Sequence, residues 1–203
     1  PGVQSWISAL PKTITAAQRG RLRLLFDTYL SPTLAYLRRH LKEPVPSVDN
    51  QIAWSLTKVL DCFFHKFIPI EGEDGPAEEL LAALDENLTP VFIFCFVWSV
   101  CCTTDGDGRA RINAYVRQMM NARDTPKPFP EEGTIFDYKY DEEARDWVRW
   151  MDTVDPYVHD PKLTFSETII PTQDSITYTY LLDLLVTHDK SVLMTGPTGT
   201  GKS

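Results

Sequence analysis

Ser191-Val-Leu-Met-Thr195, followed directly by Gly196-Pro197-Thr198-Gly199-Thr200-Gly201-Lys202-Ser203, is the stretch on which the reading turns. The first five residues are a short apolar run of the buried-strand type. The next eight match G-x-x-x-x-G-K-[ST] at every defined position, the pattern of a phosphate-binding loop. Such a loop wraps phosphates with successive backbone N–H groups, so Gly196, Gly199 and Gly201 supply the φ > 0 turns and the close approach. Lys202 is then placed for the β- and γ-phosphates and the Ser203 hydroxyl for Mg²⁺. A following helix would add the partial positive charge of its N-terminus. The chain stops at the residue that opens that helix, which predicts a piece of something longer. The expected ligand is a nucleoside triphosphate, ATP or its product ADP, with Mg²⁺.

Upstream of the loop, Ile176, Tyr180, Leu181, Leu184 and Leu185 make a helical stripe. Thr172 or Asp174 is its N-cap, and His188-Asp-Lys190 is the turn that ends it. His188 reads as a surface turn residue rather than a catalytic base. Hydrolysis also needs an acidic residue at a strand end, a water-positioning group and an arginine finger. No catalytic residue is identified within the chain, so it is not expected to hydrolyse ATP by itself.

The first third reads as helical. Leu22, Leu25, Phe26, Tyr29 and Leu30 form one stripe; Ser31-Pro32 predicts a break and restart with Ser31 as cap. Leu34, Leu37 and Leu41 carry on to Pro44-Val-Pro46. Ile52, Leu56, Val59, Phe63 and Phe67 mark a third helix capped by Ser47 or Asp49. Glu71-Gly-Glu-Asp-Gly-Pro76 reads as a solvated acidic break, since neither it nor Asp105-Gly-Asp-Gly108 has the carboxylate spacing of a calcium loop. Leu80–Leu84 reads as a short helix. Val91–Trp98 fits a buried strand or a buried helix, with helix favoured because Ile112, Tyr115, Val116, Met119 and Met120 continue the helical period. Thr125-Pro-Lys-Pro-Phe-Pro130 predicts an extended linker. Thr134–Tyr140 and Thr164–Ile170 read as strands; Trp147 and Trp150 fit a helical turn or an extended segment.

Composition bounds the function. The chain has 203 residues, 43% of them hydrophobic, with 20 Lys and Arg against 28 Asp and Glu, a formal net charge of −8. That balance argues against nucleic acid as the main partner, because backbone phosphates call for clustered cations. Cys62, Cys95, Cys101 and Cys102 form no C-x-x-C pair and the four histidines stand singly, so free buried thiols are expected rather than a zinc site. The start of the chain has no signal-peptide pattern, and the apolar run 91–102 is about half of a membrane span, so no membrane is expected as a partner. The chain is read as intracellular.

Three segments together resemble the dynein heavy chains, AAA+ motor proteins, and within them the axonemal, single-headed inner-arm type. Ile169–Leu185 with Val192–Ser203 looks like the lead-in and Walker A loop of the third AAA+ module. Val3-Gln-Ser-Trp-Ile7, Leu25-Phe26-Asp27 and the helices to Phe67 resemble the helical lid of the second. Phe92-Ile-Phe-Cys-Phe-Val-Trp-Ser-Val100 with Asp105–Arg109 resembles the helical opening of the third. Cys101-Cys102 departs from the small residues usual there, and Thr177 from a common Arg.

The resemblance implies a mostly α fold with a C-terminal α/β start: a helical lid bundle, then the truncated opening of a P-loop module. It implies residues 1–70 as the lid of module 2, 71–86 as an acidic linker and short helix, and 87–124 as the helical opening of module 3. Residues 125–133 would be a Pro-rich linker and 134–203 the N-terminal part of module 3. It implies an adenine pocket at Ile170, Pro171 and Thr172. The whole protein would be an ATP-driven, minus-end-directed microtubule motor of the cilium axoneme, within the cytoplasm and cytoskeleton. Its partners would be the other ring modules, intermediate and light chains, and microtubules, and the site in this chain would be regulatory. Two alternatives stand beside this: another class of P-loop NTPase, disfavoured because about 190 residues precede the loop, and a scaffold piece that binds no nucleotide.

Overall fold

Helix α2 (Ala16–Leu25) and helix α3 (Ser31–His40) are one continuous rod, because the five residues between them, Phe26–Leu30, keep helical dihedrals in the wider π register. The expected break at Ser31-Pro32 is therefore absent, and Ser31 caps nothing. Proline removes one N–H and crowds the carbonyl four residues back; the wider turn just before Pro32 absorbs both effects without ending the helix. The computed structural model describes residues 2–69, 76, 78–155 and 170–193.

Helix α1 (Gly2–Ala9) lies against α2 and against helix α4 (Asp49–Phe64). The junction of α1 and α2 is held by one side chain. Arg19 donates from Nε to Ile14 O, from Nη1 to Ile7 O and Ser8 O, and from Nη2 to Leu10 O and Pro11 O. Ile7 and Ser8 lie in the last turn of α1, whose carbonyls the helix end leaves short of donors, and Leu10, Pro11 and Ile14 lie in the loop after it. Thr15 caps α2 through a reciprocal box with Gln18. At α4 neither expected cap operates: Val48 holds the cap position, Ser47 Oγ donates to Glu43, and Asp49 is the first helical residue, where its charge meets the helix dipole.

The segments expected at 80–84 and 91–98 are parts of a single helix, α5 (Glu78–Ser99), which also contains Pro90. An internal proline costs roughly 3 kcal/mol, and α5 offsets it by burial: every residue from Asn87 to Val97 is buried. Packing on all sides also explains why the run 91–98 shows no stripe. Helices α2 and α4 and the sheet all lie on α5. Phe92 sits edge-on to Phe26 at 5.1 Å, and Phe63 to Phe94 at 5.7 Å. Among the described residues, Glu78–Thr103 is long and apolar enough to cross a bilayer; here two-thirds of its most apolar 18-residue stretch is buried inside the protein, as in a core helix.

Helix α6 (Gly106–Asn121) buries the expected Ile112, Val116, Met119 and Met120, and Asp105 caps it by accepting from Gly108 N at 2.9 Å. The proline segment after it is less free than a linker: Thr125 and Phe129 are buried, and Lys127 takes φ 55° with its carbonyl accepting from the Trp147 indole. Strands β1 (Tyr138–Asp141) and β2 (Asp146–Arg149) then pair antiparallel, Tyr140 opposite Trp147. The alternation read over 134–140 is correct in phase, with Phe136, Tyr138 and Tyr140 buried, but residues 134–137 form a turn closed by Asp137 N to Thr134 O. Tyr140 donates to Asn87 Oδ1 at 2.8 Å and Asn87 Nδ2 to Glu142 O, so the buried amide of α5 is satisfied by the hairpin. A 3₁₀ turn at Trp150–Thr153 follows, and helix α7 (Gln173–Thr187) packs on it. All four cysteines are free, with burial raising the thiols of Cys95 and Cys101 well above their ordinary range.

Candidate functional site

Gly196, Pro197, Thr198, Gly199, Thr200, Gly201, Lys202 and Ser203 lie outside the described residues, as does the strand expected at 164–170 except for Ile170, which is not in a strand. The structure does show what leads to them. Thr172 caps α7 by accepting from Ser175 N at 3.2 Å, while Ser175 Oγ accepts from Thr172 N, a reciprocal box that fixes where the helix begins. Gln173 Nε2 donates to Asp137 Oδ1 at 2.7 Å, tying that end of α7 to the turn before β1. Among the described residues, Ile170 just ahead is 59% exposed and Pro171 half-buried.

Along its length α7 is held by its expected stripe. Ile176, Tyr180, Leu181, Leu184 and Leu185 all pack on the core. Tyr180 meets Trp150 at 5.4 Å between centroids and Phe94 at 6.2 Å, with Lys139 Nζ 4.2 Å from its ring centre. Burial pushes the Tyr180 phenol well above its ordinary pKa, so it stays neutral. Thr177 is buried on this helix with its hydroxyl unpartnered among the described residues.

The turn expected at 188–190 is a full helix stop. Lys190 N bonds to Leu185 O at 2.8 Å and Asp189 N to Val186 O at 3.0 Å, with Asp189 at φ 55°. That pairing is a Schellman motif with a non-glycine residue in the left-handed position. Replacing Asp189 by Gly is expected to stabilise the fold by about 0.5–1 kcal/mol, because the Cβ penalty vanishes. A rise in the urea midpoint checks this; an unchanged or lower midpoint contradicts it. His188 ends α7 with Nδ1 2.7 Å from Leu184 O, and its ring meets His65 edge-on at 5.3 Å.

Beyond the turn, Ser191–Leu193 are exposed and not in a strand, Leu193 reaching 87%. The buried-strand expectation is corrected over those residues. A parallel strand exists through its neighbours' ladder bonds, and among the described residues only β1 and β2 are strands, each already paired with the other. Lys190 points back to α4, where Asp61 Oδ2 lies 3.4 Å from its Nζ. No periodicity or motif links these two residues, and the sequence carries no signal for their contact.

A helical bundle, a core helix bearing a hairpin, and a capped helix running toward G-x-x-x-x-G-K-S define the class: a lid domain followed by the start of a P-loop module. Comparison with known proteins agrees. The profile described as "Dynein heavy chain AAA lid domain" matches residues 22–152, and that described as "P-loop containing dynein motor region" matches residues 157–203. The chain belongs to the dynein heavy chain family. The whole chain aligns with human dynein axonemal heavy chain 1 at 34% identity and with the mouse protein of that name at 35%. Human dynein axonemal heavy chain 2 aligns at 29%, again over all of this chain. The chain spans 5% of the length of the first two relatives and 4% of the third.

Proposed function

We infer that this chain contributes a regulatory ATP-binding phosphate loop and part of the ring scaffold to an ATP-driven, minus-end-directed microtubule motor of the ciliary axoneme. The observation that carries the reading is the match of residues 157–203 to the P-loop dynein motor region, ending on an intact Gly196–Ser203 motif. Residues 1–70 serve as the lid of the second module, residues 87–124 as the helical opening of the third, and residues 134–203 as the N-terminal part of the third, ending at its P-loop. In this reading Lys202 contacts the β- and γ-phosphates of ATP or ADP, and Ser203 holds Mg²⁺ through the nucleotide. The seven residues Gly196–Lys202 supply the cradle, while Ile170, Pro171 and Thr172 face the adenine. The exposed Ile170 and the firmly capped start of α7 suit that role. The remaining ring modules, intermediate and light chains, and microtubules are the partners of the whole motor.

Titration of the chain with a fluorescent ATP analogue tests this. Mg²⁺-dependent binding in the micromolar range is expected, weakened at least about tenfold by Lys202→Ala, since the lysine is the loop's one mobile cation on the phosphates. Binding that Lys202→Ala leaves untouched contradicts the assignment of the loop. No binding by the unaltered chain favours the scaffold reading.

A further inference from the structure

Helices α1 and α4, with the residue just past α4, meet the C-terminal end of α7. Asp61 of α4 accepts the Trp6 indole N–H of α1 on Oδ1 at 2.6 Å and faces Lys190 Nζ on Oδ2 at 3.4 Å. The His65 ring, just past α4, meets His188 at the end of α7. The two charged side chains are only 22% and 31% exposed. An exposed ion pair is worth little, but here one partner's rotamer is already fixed by a second hydrogen bond, so less entropy is lost on pairing. The Schellman turn fixes the Lys190 backbone on α7, and the ion pair fixes its side chain on α4. Gly196 follows six residues later in the sequence, a reach of about 20 Å when extended.

We propose that the Asp61–Lys190 pair is a positioning contact through which the α1–α4 bundle sets the affinity of the phosphate loop for nucleotide. This rests on the reading of Gly196–Ser203 as an ATP site. A loop whose lead-in is tethered has part of its ordering cost removed before nucleotide arrives; a loop whose lead-in swings meets that cost on binding. By reciprocity, nucleotide on the loop strengthens the tether and quietens α4.

The test uses the unaltered chain, Lys190→Met and Lys190→Arg. Affinity for a fluorescent ATP analogue with Mg²⁺, the melting midpoint, and hydrogen exchange of α4 with and without nucleotide are all measured. Lys190→Met is expected to weaken binding about three- to tenfold at a nearly unchanged midpoint. It should also abolish the nucleotide-dependent slowing of exchange at residues 57–64, and Lys190→Arg should restore both. If the unaltered chain binds and Lys190→Met binds equally well, the positioning role is wrong while the ATP site stands. A loss of affinity that only tracks a lowered midpoint, and that arginine does not rescue, also overturns it. Absence of binding by the unaltered chain removes the ATP reading and this proposal together.

Discussion

Trp150→Ala is expected to lower the unfolding free energy by about 3–5 kcal/mol, the range for removing a buried large aromatic. Trp150 is 1% exposed and stands where three elements converge. Its ring lies 6.2 Å from Phe94, 6.0 Å from Trp98 and 5.4 Å from Tyr180, so α5, the turn after β2 and α7 all rest on it. Its indole donates to Phe136 O at 3.1 Å and its backbone N to Asp137 O. Truncation leaves a cavity and an unpaired carbonyl, and both effects add. Trp150→Phe keeps most of the packing and loses only the donor, so about 1–3 kcal/mol is expected. Urea denaturation of the two variants separates the contributions. Equal losses would show that the hydrogen bond, not the packing, dominates.

Arg19→Met comes next in size. The guanidinium spends all five of its N–H groups on carbonyls at the end of α1 and the loop after it. Removing it strips several carbonyls of their charged donor at once, and about 2–4 kcal/mol is expected. Methionine preserves the aliphatic stem, so the loss reports the hydrogen bonds and not the packing. Arg19→Lys should recover little, because an ammonium cannot span five acceptors in one plane. The urea midpoint checks the magnitude, and limited proteolysis between residues 8 and 15 checks the location. A midpoint within about 0.5 kcal/mol of the unaltered chain, typical of an ordinary surface substitution, would refute it.

Where an element buries one face, its sequence announces it. The stripes of α6 and α7 were legible because solvent on the other face keeps the 3.6-residue period visible. The alternation leading into β1 was legible in phase for the same reason, whereas β2, read as a helical turn or an extended segment, and its pairing with β1 were not. Helix α5 was only half legible, because burial on every side erases the stripe and Pro90 argues against a helix that the packing nevertheless retains. The π segment replaced an expected break because sequence marks where a helix is perturbed but not how the surrounding helix absorbs it. At the candidate site, the G-x-x-x-x-G-K-S pattern is legible from residue types alone, since glycines, lysine and serine each have a chemical reason for their place. The Asp61–Lys190 contact is not: the two residues are 129 positions apart, and nothing local distinguishes either.

Helix α7 is anchored at both extremities, by Gln173 on Asp137 at one and by Lys190 on Asp61 at the other. Fifteen residues at 1.5 Å each make a rod about 22 Å long. A helix gripped at its two tips and seated on Trp150 near its middle is held at three points, so any shift of it along or across the core has to break at least one of those contacts.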